Sequence, residues 1–413
     1  MTGFGRVLLR VLIASALVFA GPVAAQDAGT RWKASWASAQ MIAEGDNALT
    51  VTEDVTLRQI LRLSGGGDRV RVRVSNRFGR TPLRIAGGQV ALAVAPGQST
   101  VVPGSGRPLR FGGQAEVSVP PGAEYLSDPV AMRVEAGVDL AISLHVAELP
   151  AERTGHPGSR TTTFVVVGDR VAADVLNDAD AVVRWYLLAA VDVEGQAPAV
   201  IALFGDSITD GYGVEPDTNL RWTDRLAERL RETPGLKNAA VLNLGIGGNR
   251  MLLDGLGPNA AARFDRDVLA QSGVTHVVVL EGVNDLGVLT RDGPASPEAH
   301  AAIVRDMIQS YAQIVQSARD RGVMAIGATI MPFAGSAYYH PGPETEADRQ
   351  AVNAWIRTPG NFDAVIDFDA ILRDPARPDH LKADLDNDGL HPSMDGYRAM
   401  GDAVPLSLFE RRP

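Results

Sequence analysis

The residues best suited to chemistry are one serine and one aspartate–histidine pair that stand far apart in the sequence. Ser207 lies in the segment Phe204-Gly-Asp-Ser-Ile-Thr209, and Asp388 and His391 lie in Asp388-Gly-Leu-His-Pro392. A serine hydroxyl becomes an effective nucleophile when a base takes its proton and a third group orients that base. His391 could be the base and Asp388 the orienting acid. Because the chain has no cysteine, the nucleophile must be an oxygen.

Two further segments could donate hydrogen bonds to the oxyanion that forms during acyl transfer. Gly248 lies in Asn243-Leu-Gly-Ile-Gly-Gly-Asn-Arg250, and its backbone N–H would not be obstructed by a side chain. Asn284 lies in Gly282-Val-Asn-Asp285 and carries a side-chain amide. Taken singly, each segment also fits ordinary turn chemistry, and a lone histidine is often structural. The prediction therefore depends on the four segments occurring together.

These segments need a scaffold that brings them to one place, and the second half of the sequence predicts one. Apolar runs alternate there with amphipathic stretches, which favours an α/β fold with a doubly wound parallel sheet. Strands are predicted at Ala199–Phe204, His276–Leu280, Val323–Thr329 and Ala364–Phe368, and helices at Thr218–Glu232, Pro297–Arg321, Glu344–Ile356 and Ser393–Phe409, with Thr218 and Ser393 as N-caps. Since such sheets bind ligands at the carboxyl ends of their strands, segments that follow strands converge on one edge.

The four segments resemble the Ser, Gly, Asn and His blocks of the SGNH (GDSL) hydrolases, and the resemblance covers residues 199 to 409. It implies that Ser207, Asp388 and His391 form a catalytic triad. It also implies an oxyanion hole made by the N–H groups of Ser207 and Gly248 and by the Asn284 side chain. Gly245 and Gly247 stand close to Gly248 and are the alternative glycines for this role.

The first half of the chain has a different character. Between about Trp32 and Val193, short segments such as Val70–Val74, Ala115–Val119 and Asp139–Val146 alternate with period two and are separated by glycine and proline. This pattern predicts an antiparallel β-sandwich of jelly-roll type. We therefore expect an accessory β domain at residues 26–195 and a catalytic domain at residues 196–413.

The first 25 residues are typical of an export signal. Arg6 and Arg10 precede an apolar run from Val11 to Ala20, and Val23-Ala-Ala25 fits the signal-peptidase site. The run is shorter than the ~20 residues that span a bilayer, so the segment fits a stable membrane anchor less well than an export signal. Cleavage near Ala25 predicts a bacterial protein of the periplasm or the extracellular medium, two locations that the sequence does not separate.

Charge excludes one class of partner. The formal net charge is −10, and removing Arg6 and Arg10 with the signal changes it to −12. A nucleic-acid partner needs a basic face, so none is expected. The sequence leaves the oligomeric state open.

Several residues are candidates for contact with a substrate. Asp206 precedes the nucleophile, and Arg250 follows the glycine segment. Tyr338 and Tyr339 lie in a long connection, Phe333 to Glu344, that we expect to border the site. The two tyrosines could stack on a sugar or aryl group, or could cap the apolar edge of the domain.

A metal site competes for one of the key segments. Asp384-Leu-Asp-Asn-Asp-Gly389, with Asp395 at the twelfth position, resembles a calcium loop. Pro392 inside the loop, the missing final glutamate and the need of His391 for the Asp388 carboxylate argue against calcium. We expect no metal and no cofactor.

Three functions remain open at this stage. The first is a carboxylic ester hydrolase that removes small acyl groups, such as acetyl, from polysaccharide. The wider chain supports it, because Thr56–Ile60, Val70–Phe78 and Val352–Arg357 resemble secreted two-domain esterases grouped with xylan-associated acylhydrolases. The second is a lipase or phospholipase that acts on long acyl chains. The third, an inactive carbohydrate-binding protein, is disfavoured because every catalytic position is filled.

Overall fold

The computed structural model describes Met1, residues 32–51 and residues 53–410. From residue 32 onward the described residues lie in one compact unit. Apart from Met1, the predicted export signal lies outside the described residues. Within the described part of the chain, no helix has the length and apolar character needed to cross a membrane.

The first half is built from short antiparallel strands, as its period-two pattern predicts. They are β1 (Trp32–Ala37), β2 (Met41–Ala43), β3 (Glu53–Arg62), β4 (Gly67–Ser75), β5 (Leu83–Leu92), β6 (Arg107–Pro108), β7 (Val117–Val119), β8 (Glu124–Leu126), β9 (Val130–Val134), β10 (Asp139–Glu148), β11 (Arg153–His156), β12 (Thr163–Val167), β13 (Asp180–Val182), β14 (Trp185–Tyr186) and β15 (Leu188–Glu194). A short 3-10 turn spans Gly45–Asn47.

These strands form two main sheets that enclose one core. The first sheet has the order β1-β15-β4-β8, with β9 also on β4, and the second has the order β13-β12-β3-β10-β5-β6, with β7 on β5. A small sheet, β14-β11-β2, lies beside them. Val72 and Val191 of the first sheet share a buried cluster with Leu57 and Leu144 of the second. Alternate side chains of both sheets therefore face inward, while the jelly-roll topology stays a prediction.

The second half contains the α/β part. Its strands are β16 (Val200–Gly205), β17 (Ala240–Gly245), β18 (His276–Leu280), β19 (Met324–Ala328) and β20 (Ala364–Ile366). Its helices are α1 (Ser207–Asp210), α2 (Trp222–Glu232), α3 (Ala260–Phe264) with a π turn at Asp265–Leu269, α4 (Val283–Arg291), α5 (Pro297–Asp320), α6 (Pro343–Arg357), α7 (Phe368–Leu372) and α8 (Met394–Ala403), followed by a 3-10 turn at Leu406–Phe409.

All five strands are parallel, in the order β17-β16-β18-β19-β20. The order reverses at β16, so right-handed crossovers place helices on both faces of the sheet. Gly205 at the end of β16 pairs with Gly245 of β17 on one side and with Leu280 of β18 on the other. The segments that follow these strands consequently begin side by side.

Two ends of the predicted helices differ from the prediction by more than one residue. Helix α2 begins at Trp222 rather than at Thr218, because Arg221 is the N-cap and the Asp224 carboxylate accepts its backbone N–H. Helix α8 has Ser393 as N-cap, as predicted, but ends at Ala403, just before Pro405. A proline cannot continue the backbone hydrogen bonding, which explains the early end.

The β-rich half packs against β17, the edge strand of the parallel sheet. Ala34 and Ala37 of β1 belong to the same buried cluster as the strands of the α/β part. Ser64 Oγ donates to the carbonyl of Val241 in β17 and accepts that residue's N–H. Lys33 Nζ donates to the carbonyls of Gln196 and Asn238, and burial lowers the pKa of this lysine to about 8. Strand β17 is therefore a covered edge. A domain boundary at residues 195 and 196 stays a prediction.

Candidate active site

The turn that carries Ser207 is a sharp passage from strand to helix. Asp206 is the N-cap of α1, and its side chain accepts the N–H of Ile208 at 2.9 Å. Ser207 is the first residue of this four-residue helix, which ends at Gly211 with φ 95°. A Cβ on Gly205 would lie 2.3 Å from the carbonyl oxygen of Leu280, so the turn requires glycine there. The serine is thereby held at the carboxyl end of a central strand.

The segment Asp388–Pro392 brings His391 to this serine. His391 Nε2 lies 2.9 Å from Ser207 Oγ, and His391 Nδ1 lies 2.9 Å from Asp388 Oδ2. Asp388 Oδ1 also accepts the backbone N–H groups of Leu390 and His391 at 3.1 and 2.8 Å. The carboxylate thus fixes both its own loop and the imidazole, which is the arrangement that a serine–histidine–aspartate relay needs.

The electrostatics of this pair are set by opposing effects. Burial lowers the pKa of His391 below its ordinary value, Asp388 raises it, Arg160 lowers it, and the balance is a lowered pKa. The removal of water around the imidazole therefore outweighs the stabilisation of its charged form by the Asp388 carboxylate. Burial raises the pKa of Asp388, but the hydrogen bonds from His391 and Leu390 outweigh burial, so the net pKa is lowered. Near neutral pH the imidazole is accordingly neutral and the carboxylate charged.

Backbone and side-chain donors lie beside the serine. Among the described residues, no backbone carbonyl accepts the N–H of Ser207 or of Gly248. Gly248 has φ 72°, and a Cβ there would lie 2.4 Å from Leu256 Cδ1. Asn284 lies in the first turn of α4, where its Nδ2 donates to the carbonyl of Asn249 at 2.7 Å and its Oδ1 accepts from Tyr339 Oη at 2.7 Å. The second Nδ2 hydrogen of Asn284 has no acceptor among the described residues. Three donors are therefore available to a ligand: this hydrogen and the N–H groups of Ser207 and Gly248.

A buried charge cluster beneath the turn was not visible in the sequence. Arg263 of α3 is fully buried and donates to the carbonyls of Gly205 and Leu244 at 2.9 and 2.8 Å and to Asn249 Oδ1 at 2.8 Å. It thus ties the ends of β16 and β17 to the glycine segment. A single arginine on a short helix gives no signal of this role, since charged residues on helices are usually solvated.

Carboxylates surround this arginine. Burial, and in addition the charge of Asp285, raise the pKa of Asp206 to about 7. Asp285 accepts the N–H groups of Met251 and Leu252 at 2.6 and 3.0 Å, and burial raises its pKa to about 6. Burial also raises the pKa of Glu281 well above its ordinary value. Asp285 anchors the chain just after Gly248, so the glycine and asparagine segments are joined directly.

The β-rich half reaches the site through the connection between β11 and β12. His156 Nδ1 lies 2.8 Å from the carbonyl of Ala39, and its Nε2 lies 3.0 Å from Asp210 Oδ1 in α1. A Cβ on Gly158 would lie 1.7 Å from Asp210 Oδ2, so the connection packs tightly there. Arg160 lies over the ring of Tyr212, which stacks on His391. No sequence motif marks these residues, so none of them was predicted: His156, Gly158, Arg160, Asp210 and Tyr212.

The residues predicted to contact substrate fall in two groups. Asp206 and Tyr339 are buried, with their polar groups engaged inside the protein, whereas Tyr338 is 59% exposed. Tyr338 accepts a hydrogen bond from Arg291, and the Arg250 guanidinium donates to the carbonyl of Asp254. Direct contact of these four residues with a substrate stays a prediction.

Part of the α/β half is similar to a known protein family. Residues 203–399 match the model of the GDSL-like Lipase/Acylhydrolase family, a span that includes Ser207, Gly248, Asn284 and His391. The search of curated proteins found no match.

Three solved structures are similar to part of this chain. A GDSL-like lipase from Bacteroides thetaiotaomicron is 18% identical and covers 50% of this chain and 85% of its own, with a TM-score of 0.37. A variant of an acetyl xylan esterase from Geobacillus stearothermophilus is 18% identical over 52% of this chain and 95% of its own, with a TM-score of 0.38. The acetyl xylan esterase AlAXEase is 18% identical over 49% of this chain and 96% of its own, with a TM-score of 0.37.

The motifs, the parallel sheet and the family match agree on the same segment. Residues 203–399 of the α/β part are therefore similar to the GDSL-like lipase/acylhydrolase family.

Proposed function

We propose that this protein is an exported serine carboxylic ester hydrolase that removes small acyl groups, with Ser207, His391 and Asp388 as its triad. One observation carries the proposal. Ser207 Oγ, the two nitrogens of His391 and the Asp388 carboxylate form a continuous chain of contacts, each 2.9 Å long, at the carboxyl edge of the parallel sheet. The direction of the histidine pKa supports a neutral base near neutral pH.

The proposed reaction proceeds in two halves. Ser207 Oγ attacks the ester carbonyl while His391 Nε2 takes the hydroxyl proton and Asp388 stabilises the imidazolium. The N–H groups of Ser207 and Gly248 and the Asn284 amide donate to the oxyanion, each worth roughly 3 kcal/mol of barrier. The alcohol leaves with the proton from His391. Water then attacks the acyl-serine with His391 again as base, and the acid and free Ser207 are regenerated.

The nature of the acyl group is the finer part of the proposal. Small acyl groups on polysaccharide are favoured by the resemblance of the wider chain to xylan-associated acylhydrolases. A second candidate, hydrolysis of longer acyl chains, is favoured by Leu253 and Leu256, which are 62% and 56% exposed. Leu256 borders Gly248, so an apolar surface lies next to the proposed oxyanion hole.

A rate comparison tests the reaction and the acyl preference together. The mature protein should hydrolyse p-nitrophenyl acetate, and Ser207→Ala should reduce turnover to near background. Ser296→Ala, which alters the N-cap of α5, is a matched serine control and should keep the rate. Turnover that persists in folded Ser207→Ala would remove that serine from the mechanism.

The preference of the enzyme for the acyl group and its preference for the alcohol are measured with different substrates. A series of p-nitrophenyl esters of increasing chain length should show the highest kcat/KM for the shortest acyl groups, and acetate should be released from acetylated xylan. A maximum at long chains would favour the second candidate instead.

A further inference from the structure

One cation of the β-rich half lies beside the proposed catalytic base. Arg160 follows β11, and its guanidinium carbon is 5.5 Å from the centre of the Tyr212 ring. That ring stacks on His391 with centres 4.1 Å apart and planes 29° from parallel. The charge of Arg160 also contributes to the lowered pKa of His391, which agrees with this proximity.

In the described part of the chain, no carboxylate lies within 4.0 Å of the Arg160 guanidinium. Many other arginines there do form such ion pairs. The neighbouring Arg221 pairs with Asp224 at 2.6 Å, and the buried Arg263 pairs with Asp267 at 3.1 Å. Arg160 Nε is buried and donates to no acceptor among the described residues. Leaving a buried charged donor unpaired is unfavourable, so the site suits an anionic acceptor from a ligand.

The position of Arg160 is held by contacts that do not involve its side chain. Its φ of 50° is left-handed, and its carbonyl accepts the N–H of Asp217 at 2.9 Å. The Asp217 carboxylate in turn accepts from the backbone N–H and Oγ1 of Thr162, at 2.8 and 2.6 Å. A strained backbone conformation persists where the surrounding contacts stabilise it. Because these contacts use the backbone of Arg160, its guanidinium is available to bind a ligand.

We propose that Arg160 binds a carboxylate carried by the ester substrate close to the scissile bond. The proposal rests on the proposed ester hydrolysis and narrows its substrate to acidic esters. A guanidinium matches a carboxylate with two parallel hydrogen bonds, and the half-exposed ring of Tyr212 offers an apolar face for the adjoining carbon skeleton. The chain as a whole is acidic, with net charge −10, so long-range attraction does not favour an anion and the contact at Arg160 must provide the selectivity.

The carboxylate can belong to the alcohol part, as in an acylated uronic acid, or to the acyl part, and two substrate pairs separate these sources. Phenyl acetate is compared with 4-acetoxybenzoate for the alcohol side, and p-nitrophenyl butyrate with mono-p-nitrophenyl succinate for the acyl side. Dividing each variant's kcat/KM by the wild-type value cancels the intrinsic reactivity of each ester.

Arg160→Gln should reduce kcat/KM for the acidic member of one pair by about tenfold or more, the effect of losing one charge-assisted hydrogen bond of ordinary strength. The loss should fall mainly on KM, and the neutral members should change by less than about threefold, since they make no such bond. Arg160→Lys should restore part of the loss. Arg305→Gln, on the exposed face of α5, is the matched control and should change neither pair.

Two results would overturn the proposal. One is an equal change of acidic and neutral esters in Arg160→Gln, which would make the residue structural. The other needs no variant: absence of competitive inhibition of the wild-type protein by both benzoate and succinate. Hydrolysis that depends on Ser207 but shows no Arg160-dependent preference rejects only this inference, whereas hydrolysis that survives Ser207→Ala rejects the proposed function itself.

Discussion

The hydroxyl of Tyr339 offers a precise test of how the proposed oxyanion hole is positioned. Tyr339 Oη donates to Asn284 Oδ1 at 2.7 Å, and the same amide donates through Nδ2 to the carbonyl of Asn249 at 2.7 Å. Asn284 is 2% exposed and Tyr339 is 4% exposed. The change Tyr339→Phe removes one oxygen and leaves the ring packed. It therefore releases one of the two contacts that aim the amide.

The size of the effect follows from these contacts. A buried acceptor without a partner costs about 1–3 kcal/mol. Complete loss of an oxyanion donor costs ~10² to 10³ in kcat, which we expect for Asn284→Ala. Because the bond to Asn249 remains in Tyr339→Phe, we expect a smaller loss of about 5- to 30-fold in kcat, equivalent to about 1–2 kcal/mol. KM should change little, since the oxyanion is present only in the transition state.

The assay is a double-mutant cycle on p-nitrophenyl acetate. Tyr339→Phe, Asn284→Ala and the double variant are compared with wild type in kcat, KM and thermal unfolding. If Tyr339 acts through Asn284, its substitution should cost nothing further once the amide is absent. Tyr338→Phe is the matched control, because that neighbour is exposed and its hydroxyl contacts Arg291 instead.

Two outcomes would refute this reasoning. Losses that add in the double variant would show that Tyr339 affects catalysis by another route. Unchanged kcat in Tyr339→Phe, accompanied by a lower unfolding temperature, would show that its hydroxyl only stabilises the fold.

Three further predictions follow from the same geometry. His391 must be neutral to act as base and its pKa is lowered, so kcat/KM should rise with pH below the ordinary imidazole value of ~6.5. Asp388→Asn should shift that rise to still lower pH and cut kcat by up to ~10⁴; an unchanged profile would mean that another group orients the ring. His156→Ala should lower the free energy of unfolding by about 3 kcal/mol, because it leaves the buried Asp210 unpaired. His145→Ala, whose partner Asp54 is 64% exposed, should cost only about 1 kcal/mol, and equal costs in denaturant titration would contradict the argument. Turnover should be unaffected by EDTA, since every proposed role belongs to a side chain or backbone amide; calcium-dependent recovery would favour a metal at Asp384–Asp388.

Local sequence patterns predicted most of the secondary structure. The strand at His276–Leu280 and the Ser393 N-cap are observed as predicted, and Pro297–Arg321 differs from α5 by one residue. Period-two alternation at Val70–Val74 and Asp139–Val146 corresponds to β4 and β10. Such patterns succeed because they report which face of an element is buried, a property encoded in neighbouring residues.

The errors arise where a distant or side-chain contact replaces the local signal. Threonine is a common N-cap residue, but the Thr218 hydroxyl donates to the carbonyl of Glu215 instead. The N-cap of α2 is Arg221, whose backbone N–H is accepted by Asp224. The sequence predicts no helix directly after Gly282, but α4 begins there at Val283. Its Asp285 binds the backbone of Met251 and Leu252, which stabilises the first turn from outside the helix.

By itself the sequence determined which residue types are available for chemistry, and that Ser207, Gly248, Asn284 and His391 each follow or flank a regular element. The tertiary structure alone decided their distances, because Ser207 and His391 are 184 residues apart and meet only when the sheet adopts its order. It also decided that Arg263 lies beneath the turn and that Arg160 and His156 come from the β-rich half. Periodicity describes each element's own burial, whereas the surfaces that meet depend on how the sheets pack, and no local pattern contains that information.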